Sequence, residues 1–125
     1  MKSVLVIGLG RFGRHLSRKF IEEGNAVLAI EKDETRADWA VNIVNEIQIG
    51  DATNEDLLIL GVNNFDICVV AVGDNFQTAL EITVLLKDFG AEYIIARASR
   101  DVHRKLLLRN GADHVVYAER EIAEK

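Results

Sequence analysis

Three glycines near the start of the chain have the spacing of a phosphate-binding loop. Gly8, Gly10 and Gly13 form the pattern G-x-G-x-x-G. In such a loop the first glycine permits a tight turn, the second lets a phosphate approach the backbone, and the third lets the next helix pack closely. Unpaired N–H groups at the start of that helix favour an anion. The spacing therefore predicts a cradle for phosphate.

The residues around the glycines strengthen this interpretation. An apolar strand is predicted over residues 4–7. A helix is predicted over 11–23, with Phe12, Leu16 and Phe20 at i, i+4 and i+8 on its apolar face. A second strand, 26–30, ends at Glu31, whose carboxylate would accept hydrogen bonds from ribose hydroxyls and repel a 2′-phosphate. Lys32 beside it would weaken that discrimination. The alternative is that the glycines only close a turn and that Glu31 is a surface charge.

The remaining chain alternates strands and helices without a linker or a proline. We predict strands over 46–49, 67–72, 93–96 and 114–117. We predict helices over 55–60 (with Thr53 and Asp56 as a capping box) and over 75–89, and two more that Asp33 and Asp101 cap and that end at Val44 and Arg109. Such alternation is typical of an α/β fold. It predicts a Rossmann-like, doubly wound parallel sheet of six strands in the order 3-2-1-4-5-6.

In that topology the loops after the strands meet at one edge of the sheet, beside the first and fourth strands. A guanidinium within the glycine loop, that of Arg11, suits a phosphate. The alternative is that Arg11 is a solvated residue of the first helical turn. The candidate cofactor-binding residues are Gly8, Gly10, Arg11, Phe12, Gly13, Glu31, Lys32, Asp51, Ala52, Thr53, Gly73, Asp74, Asn75 and Arg97.

Composition excludes several classes of partner. The formal net charge of −5, with both signs mixed along the chain, leaves no basic stripe for nucleic acid. No window approaches the ~20 apolar residues of a membrane span, and no signal peptide is visible, so we expect a cytoplasmic domain without direct membrane insertion. The single cysteine, Cys68, lies in an apolar run and is interpreted as a core residue.

Five motifs together resemble the RCK/KTN (TrkA-N) family, the N-terminal nucleotide-binding domains that regulate potassium channels and transporters. They are Val-Ile-Gly-Leu-Gly-Arg-Phe-Gly at 6–13, Gly-Asp-Ala-Thr at 50–53, Gly-Val-Asn-Asn-Phe-Asp at 61–66, Ala-Val-Gly-Asp-Asn at 71–75 and Gly-Ala-Asp at 111–113. The resemblance implies a cytoplasmic regulatory domain, peripheral to the inner face of the plasma membrane, that binds NAD(H) or ATP/ADP. It also implies that the domain gates a membrane-embedded potassium channel or transporter.

The resemblance further implies roles for particular residues. It places Arg11 nearest the terminal phosphates, Asp51, Ala52 and Thr53 on the adenine and ribose side, and Asp74 and Asn75 over the phosphates. It places Glu119 near a subunit interface, and it implies a dimer or ring built through helices 75–89 and 101–110. By this comparison the nucleotide-binding domain spans 1–118, residues 119–125 start a crossover helix or tail, and the family's C-terminal lobe is absent.

The competing interpretation is the cofactor domain of an NAD-dependent oxidoreductase that lacks its catalytic part. Such chemistry needs an acid or base near the nicotinamide. The Tyr-x-x-x-Lys pair of short-chain reductases is missing. The residue four positions after Tyr93 is Arg97, and the residue four positions after Tyr117 is Glu121, so neither is a lysine. His15, His103 and His114 fall in helices or at a strand start, and no Cys/His cluster has metal-ligand spacing. The sequence therefore predicts a protein that is not an enzyme.

The helix at 75–89 carries more apolar surface than one sheet can cover. Its apolar residues occupy an arc of roughly 260° around the helix axis. A helix that packs on one sheet buries an apolar stripe only about 100° wide. We expect the surplus face, centred on Ile82, Leu85 and Phe89, to pack against a second copy. The alternative is that the helix at 101–109, with Leu107 and Leu108, covers it within one chain.

Overall fold

The computed structural model describes residues 1–54, 59–73 and 75–117, and within them the chain forms one six-stranded parallel sheet. The strands are β1 (Ser3–Ile7), β2 (Ala26–Glu31), β3 (Glu46–Ile49), β4 (Ile67–Val70), β5 (Ile94–Ala98) and β6 (His114–Tyr117). The described helices are α1 (Arg11–Glu22), α2 (Glu34–Trp39), α3 (Phe76–Asp88) and α4 (Asp101–Arg109), with a 3₁₀ turn at Val62–Asn64. The order β3-β2-β1-β4-β5-β6 confirms the predicted Rossmann-like topology.

Both faces of the sheet are covered, which is why its central strands read as continuous apolar runs. Along β1, Leu5 and Ile7 pack in the cluster that contains Ile82 and Leu86 of α3. The alternate residues Val4 and Val6 pack in a second cluster, to which the predicted apolar face of α1 contributes. Phe12, Leu16 and Phe20 form that face, as expected from their spacing.

Three polar side chains fasten the strand starts at the edge of the sheet opposite the glycine loop. Asn45, Asp66 and Asp113 each come just before a strand, namely β3, β4 and β6. Each accepts a hydrogen bond from an N–H in the neighbouring strand: Val27 at 2.7 Å, Ser3 at 2.8 Å and Ile94 at 2.8 Å. The motifs that end at Asp66 and Asp113 thus have a structural role, since they satisfy backbone donors and fix strand register.

The second helix is shorter than predicted. Asp33 does cap α2, because its Oδ1 accepts from the N–H of Thr35 at 2.9 Å. The helix ends at Trp39, however, and the chain continues to Val44 in tighter turns, such as Ile43 N–H to the Ala40 carbonyl at 2.9 Å. Asparagine and β-branched residues fill positions 41–44 and favour helix weakly.

Two strand boundaries differ from the prediction because pairing partners decide them. β4 ends at Val70 rather than at residue 72, since its neighbour β1 ends at Ile7 and turns into the glycine loop. β5 extends to Ala98 because β6 offers partners to its last residues. Arg97 therefore lies inside β5, paired with Val116, and not beyond its end.

Asp101 does not cap α4 as predicted, because it is the first residue of the helix and Arg100 occupies the cap position. Its carboxylate instead accepts a hydrogen bond from the Tyr117 hydroxyl at 2.7 Å. That hydrogen bond, with smaller contributions from the nearby Lys105 and Arg104 cations, lowers the pKa of Asp101. The contact joins the start of α4 to the end of β6.

The apolar face of α3 is largely covered within the chain. Ile82 is only 2% exposed, so the predicted centre of an intermolecular face is wrong at that residue. Leu85 and Phe89 are partly buried against the same core, and Leu107 of α4 is fully buried in it. Val102 and Leu108, both on α4, remain 48% and 38% exposed.

Several predictions fall on residues outside the described ranges. These are most of the helix at 55–60 with its capping residue Asp56, the loop residue Asp74, the interface residue Glu119, and the tail at 119–125. Among the described residues, no helix is long and apolar enough to cross a membrane. Cys68 is a buried core residue as predicted, and burial raises the pKa of its thiol to about 12.

Candidate functional site

A cleft opens where the strand order reverses, beyond the carboxyl ends of β1 and β4. This is the position at which open α/β sheets bind ligands. The residues that line the cleft come from the end of β1 and the glycine loop, from the ends of β2 and β3 and the residues after them, from the loop after β4, and from the first turn of α2 and the first two turns of α3. They are Ile7, Gly8, Gly10, Ile30, Glu31, Lys32, Arg36, Gly50, Asp51, Ala52, Ala71, Val72, Gly73, Asn75, Thr78 and Ile82.

The three glycines occupy three different environments. Gly8 has a φ of +101°, and a Cβ there would come within 3.0 Å of the Ala71 and Val72 backbone. A Cβ on Gly13 would collide with the carbonyl oxygen of Gly8, so the start of α1 packs directly on the loop. A Cβ on Gly10 would meet nothing within 4 Å. Gly8 and Gly13 are thus required for packing, whereas Gly10 leaves open space in the cleft.

The start of α1 offers backbone donors next to that space. Gly10 occupies the cap position, and no side chain among the described residues caps the helix there. The first N–H groups of a helix have no partner within the helix, and the helix dipole makes this end positive. The first turn carries no acidic residue. The arrangement suits an anion such as phosphate.

Glu31 is buried, with 5% of its surface exposed, and both of its carboxylate oxygens accept hydrogen bonds from the backbone. Oε1 accepts from the N–H of Leu9 at 2.7 Å, and Oε2 accepts from the N–H of Asp33 at 2.9 Å. The side chain therefore joins the glycine loop to the segment that begins α2. Each oxygen keeps a second lone pair that a ribose hydroxyl can use.

Asp51 and Thr53 form a compact turn after β3. Oδ1 of Asp51 accepts from the N–H of Thr53 at 2.9 Å and from its hydroxyl at 2.7 Å. These two bonds, with a smaller contribution from the Lys32 cation, lower the pKa of Asp51. Asp51 is thus held as an anion on the cleft wall, with Oδ2 available to a ligand donor.

The side chain of Arg97 crosses from β5 toward the glycine loop. Its guanidinium lies 5.5 Å from the centre of the Phe12 ring, and its Nη1 lies 2.5 Å from where a Cβ on Gly73 would stand. A cation is thereby placed between the glycine loop and the loop that follows β4. Guanidinium groups are well suited to contact phosphate oxygens.

The structure brings most of the candidate residues to the cleft, but not all. Gly8, Gly10, Glu31, Lys32, Asp51, Ala52, Gly73 and Asn75 line it. Four candidates lie close to it without lining it: Gly13 is buried, Phe12 packs against the core, Thr53 is bonded to Asp51, and Arg97 lies on Gly73. Arg11 is an exposed first residue of α1, and Asp74 lies outside the described residues.

Eight lining residues were not among the sequence candidates: Ile7, Ile30, Arg36, Gly50, Ala71, Val72, Thr78 and Ile82. Helical spacing carried a signal for two of them. Arg36 follows the cap residue Asp33 by three positions and pairs with it at 4.0 Å, and Thr78 follows the cap residue Asn75 by three. A residue three positions after a cap lies in the first turn of the helix, so the positions of Arg36 and Thr78 follow from those of Asp33 and Asn75.

The histidines lie away from the cleft, and the cleft wall carries other polar groups. None of the three histidines lines the cleft, and His103 stacks on the ring of Phe76 with 3.8 Å between ring centres. Within the described ranges no group of His, Cys, Asp and Glu could hold a metal ion. The described cleft wall carries backbone donors, the carboxylates of Glu31 and Asp51, and the cations Lys32 and Arg36. Groups of these kinds are suited to phosphate and ribose.

Comparison with known proteins agrees with this geometry. The chain is 41% identical over 125 residues to Ktr system potassium uptake protein C of Bacillus subtilis (strain 168), covering 99% of this chain and 57% of that protein. It matches the crystal structure of the TrkA-N domain of inner membrane protein ybaL from Escherichia coli with a TM-score of 0.86 and 28% identity, over 98% of this chain and 92% of that one. The Kef CTD of Shewanella denitrificans in AMP-bound form matches with a TM-score of 0.80 and 27% identity, over 97% and 74%.

The match to the Bacillus protein spans little more than half of that relative's length. The family model, in contrast, is matched over nearly the whole chain, from residue 4 to residue 118. That range includes the glycine loop, Glu31, the turn at Asp51 and every residue of the six strands except Ser3. The resemblance inferred from the five sequence motifs is thereby confirmed, and the chain belongs to the TrkA-N domain family.

Proposed function

We propose that this domain binds one adenine nucleotide, NAD(H) or ATP/ADP, in the cleft at the carboxyl ends of β1 and β4. The observation that carries the proposal is the continuity of the cleft wall. The same cleft is lined by Gly10, beside which there is open space for a phosphate, and by Glu31 and Asp51, whose carboxylates can accept hydrogen bonds from ribose. The AMP-bound state of the Shewanella Kef domain, at 27% identity, supports an adenosine monophosphate unit as the common ligand part.

We further propose that nucleotide binding regulates a potassium channel or transporter in the membrane and that the domain acts on the cytoplasmic side. The potassium uptake function named for the Bacillus relative, at 41% identity, supports this role. An NAD-dependent oxidoreductase has less support, because the described residues of the cleft wall include no histidine, tyrosine or cysteine as an acid, base or nucleophile. Regulation therefore describes the site better than catalysis.

Assembly is part of the same proposal. A regulatory domain acts by moving a neighbouring subunit. We expect two copies of this domain to pair through the surface formed by α3 and α4. The exposed Val102 and Leu108 lie on α4 of that layer, and α4 contacts the core through the buried Leu107. Because Ile82 and Leu86 are already buried, the interface would rest on α4 and on the partly exposed side of α3.

Titration calorimetry with AMP, ADP, ATP, NADH and NADPH on the nucleotide-free chain tests the proposed ligand class. We expect one site per chain for the first four ligands. NADPH should bind more weakly than NADH, because its 2′-phosphate would meet the buried carboxylate of Glu31. Lys32 and Arg36 also line the cleft, and their positive charges reduce that difference. We therefore expect NADPH to bind more weakly than NADH by a factor of about ten or less.

GTP is the matched control, since it carries the same ribose and phosphates on another base. Absence of heat and of protection against thermal unfolding with all adenine ligands would contradict the proposed function. Equal affinity for NADH and NADPH would contradict only the role given to Glu31 in selecting the ribose.

A further inference from the structure

The carboxylate of Glu31 takes part in a set of hydrogen bonds around the turn after β1, in addition to the contact with ribose proposed above. The N–H of Gly8 donates to the Ile30 carbonyl at 2.8 Å, and the next N–H, that of Leu9, donates to Oε1 of Glu31 at 2.7 Å. Two successive amides of the glycine loop are thus held by two successive residues at the end of β2. Beyond them the amide of Gly10 is next to the open space of the cleft.

We propose that Glu31 is a positioning residue for the phosphate cradle, so that it sets the affinity for phosphate groups that it does not touch. This inference rests on the proposed nucleotide function and deepens it. A peptide plane is rigid, and fixing the N–H of Leu9 therefore restricts how the following peptides turn toward the ligand. Donors that are already aimed at an anion lose little entropy when it binds.

The other carboxylate oxygen strengthens this role. Oε2 accepts from the N–H of Asp33 at 2.9 Å, and Asp33 in turn caps α2 through the N–H of Thr35. With 5% exposure, the carboxylate is shielded from competing water. The side chain of Glu31 therefore connects the glycine loop to the start of α2, the helix that carries the lining residue Arg36.

Charge alone predicts the opposite result, which makes the proposal testable. A carboxylate close to a phosphate repels it, so removing its charge would strengthen phosphate binding if electrostatics dominated. If Glu31 acted only on ribose, its loss would weaken all adenosine ligands by the same factor. If Glu31 positions the cradle, its loss weakens the contribution of the phosphates specifically.

The experiment compares adenosine with ADP in the wild-type chain and in Glu31→Gln, using NMR titration for adenosine and calorimetry for ADP. Glutamine has the same shape but offers one acceptor oxygen and an NH₂ donor, so it cannot accept from both Leu9 and Asp33. We expect the ratio of ADP affinity to adenosine affinity to fall about tenfold in the variant. A ratio that is unchanged or higher would overturn the proposal.

Glu34→Gln is the matched control, because it removes one charge from the same helix end at an exposed position without a contact to Leu9. Its ratio should equal that of the wild type. If neither adenosine nor ADP binds the wild-type chain, the proposed function fails as well. If both bind and Glu31→Gln retains the wild-type ratio, only the positioning role fails.

Hydrogen exchange in the ligand-free wild-type chain supplies a second measurement that needs no variant. The Leu9 amide, bonded to a buried carboxylate, should exchange at least about tenfold more slowly than the Arg11 amide in the uncapped first turn of α1. Equal exchange rates would show that Glu31 does not hold the loop before the ligand arrives, and they would overturn the proposal.

Discussion

The guanidinium of Arg97 rests on Gly73, and its Nη1 occupies a position 2.5 Å from where a Cβ on residue 73 would stand. The same group lies over the Phe12 ring, with 5.5 Å from the guanidinium carbon to the ring centre. Glycine at position 73 therefore makes room for a cation that spans β5, the loop after β4 and the start of α1. Because only the flexible end of Arg97 would collide with a new methyl group, this relationship can be disturbed without unfolding the chain.

We predict that Gly73→Ala displaces the Arg97 guanidinium and weakens ADP binding about as much as Arg97→Ala, by roughly tenfold. The double variant should be no weaker than either single variant, because both changes remove the same contact. Calorimetry with ADP on the wild type, the two single variants and the double variant measures this double-mutant cycle. Fully additive losses would mean that Gly73 and Arg97 act independently on the ligand.

Gly10 and Gly13 should respond differently to the same substitution. Gly13→Ala places a methyl group against the carbonyl of Gly8, where backbone must move, and we expect it to destabilise the fold by about 1–3 kcal/mol. Gly10→Ala meets no protein atom within 4 Å, so it should cost less than about 1 kcal/mol of stability while obstructing the phosphate. Urea unfolding and ADP titration of both variants check this. Unimpaired ADP binding by Gly10→Ala would exclude phosphate from that space.

Stability should depend on pH through Asp51 and Thr53. The two hydrogen bonds from Thr53 lower the pKa of Asp51 from its ordinary value of 3.8, so they stabilise the fold above that value. This contribution disappears as the pH falls through the lowered pKa. Thr53→Val removes the hydroxyl donor, should raise the Asp51 pKa measured by NMR, and should cost about 1 kcal/mol or less at neutral pH. At a pH below the lowered pKa of Asp51 the two proteins should differ little in urea unfolding, and a difference that stays constant with pH would exclude this origin.

Self-association through the α3 and α4 layer predicts that Leu108→Glu reduces the dimer while preserving the fold. Leu108 is 38% exposed on α4, so a charge there can reach water in the monomer but not in a buried interface. Light scattering across a concentration series measures the mass. Val41→Glu, at a 59% exposed position after α2, is the control that should leave association unchanged. An equal mass distribution in both variants and the wild type would place the interface elsewhere.

The sequence predicted the sheet order and the glycine loop because both depend on local patterns. Strand alternation with helices and the spacing of Gly8, Gly10 and Gly13 follow from the chain itself. Boundaries that depend on a distant neighbour were predicted less well. β4 ends where its neighbour β1 turns into the glycine loop, and β5 continues through Arg97 because β6 pairs with it. The residues of β4 and β5 themselves do not indicate where these neighbours begin or end.

Side-chain partners far apart in the sequence were also beyond prediction. Glu31 was expected to meet a ribose, but its bond to Leu9 spans 22 positions and depends on how β2 lies beside the glycine loop. Asp101 was expected to cap a helix, yet it accepts from Tyr117, which only the pairing of β5 with β6 brings near. Ile82 was assigned to an outer face because periodicity defines an apolar arc but not which parts of it other elements cover.

The most direct test of the central claim is the backbone amide NMR spectrum of the ligand-free chain during titration with AMP. Binding in the cleft predicts the largest shifts at the amides of Gly10 and Arg11, beside the proposed phosphate position, and at Glu31 and Asp51 on the ribose side. The amides of residues 110–113, at the opposite edge of the sheet, should keep their positions. Saturable shifts confined to the cleft residues are the expected result. No shift at the glycine loop at saturating AMP, or shifts centred on residues 110–113, would contradict the account.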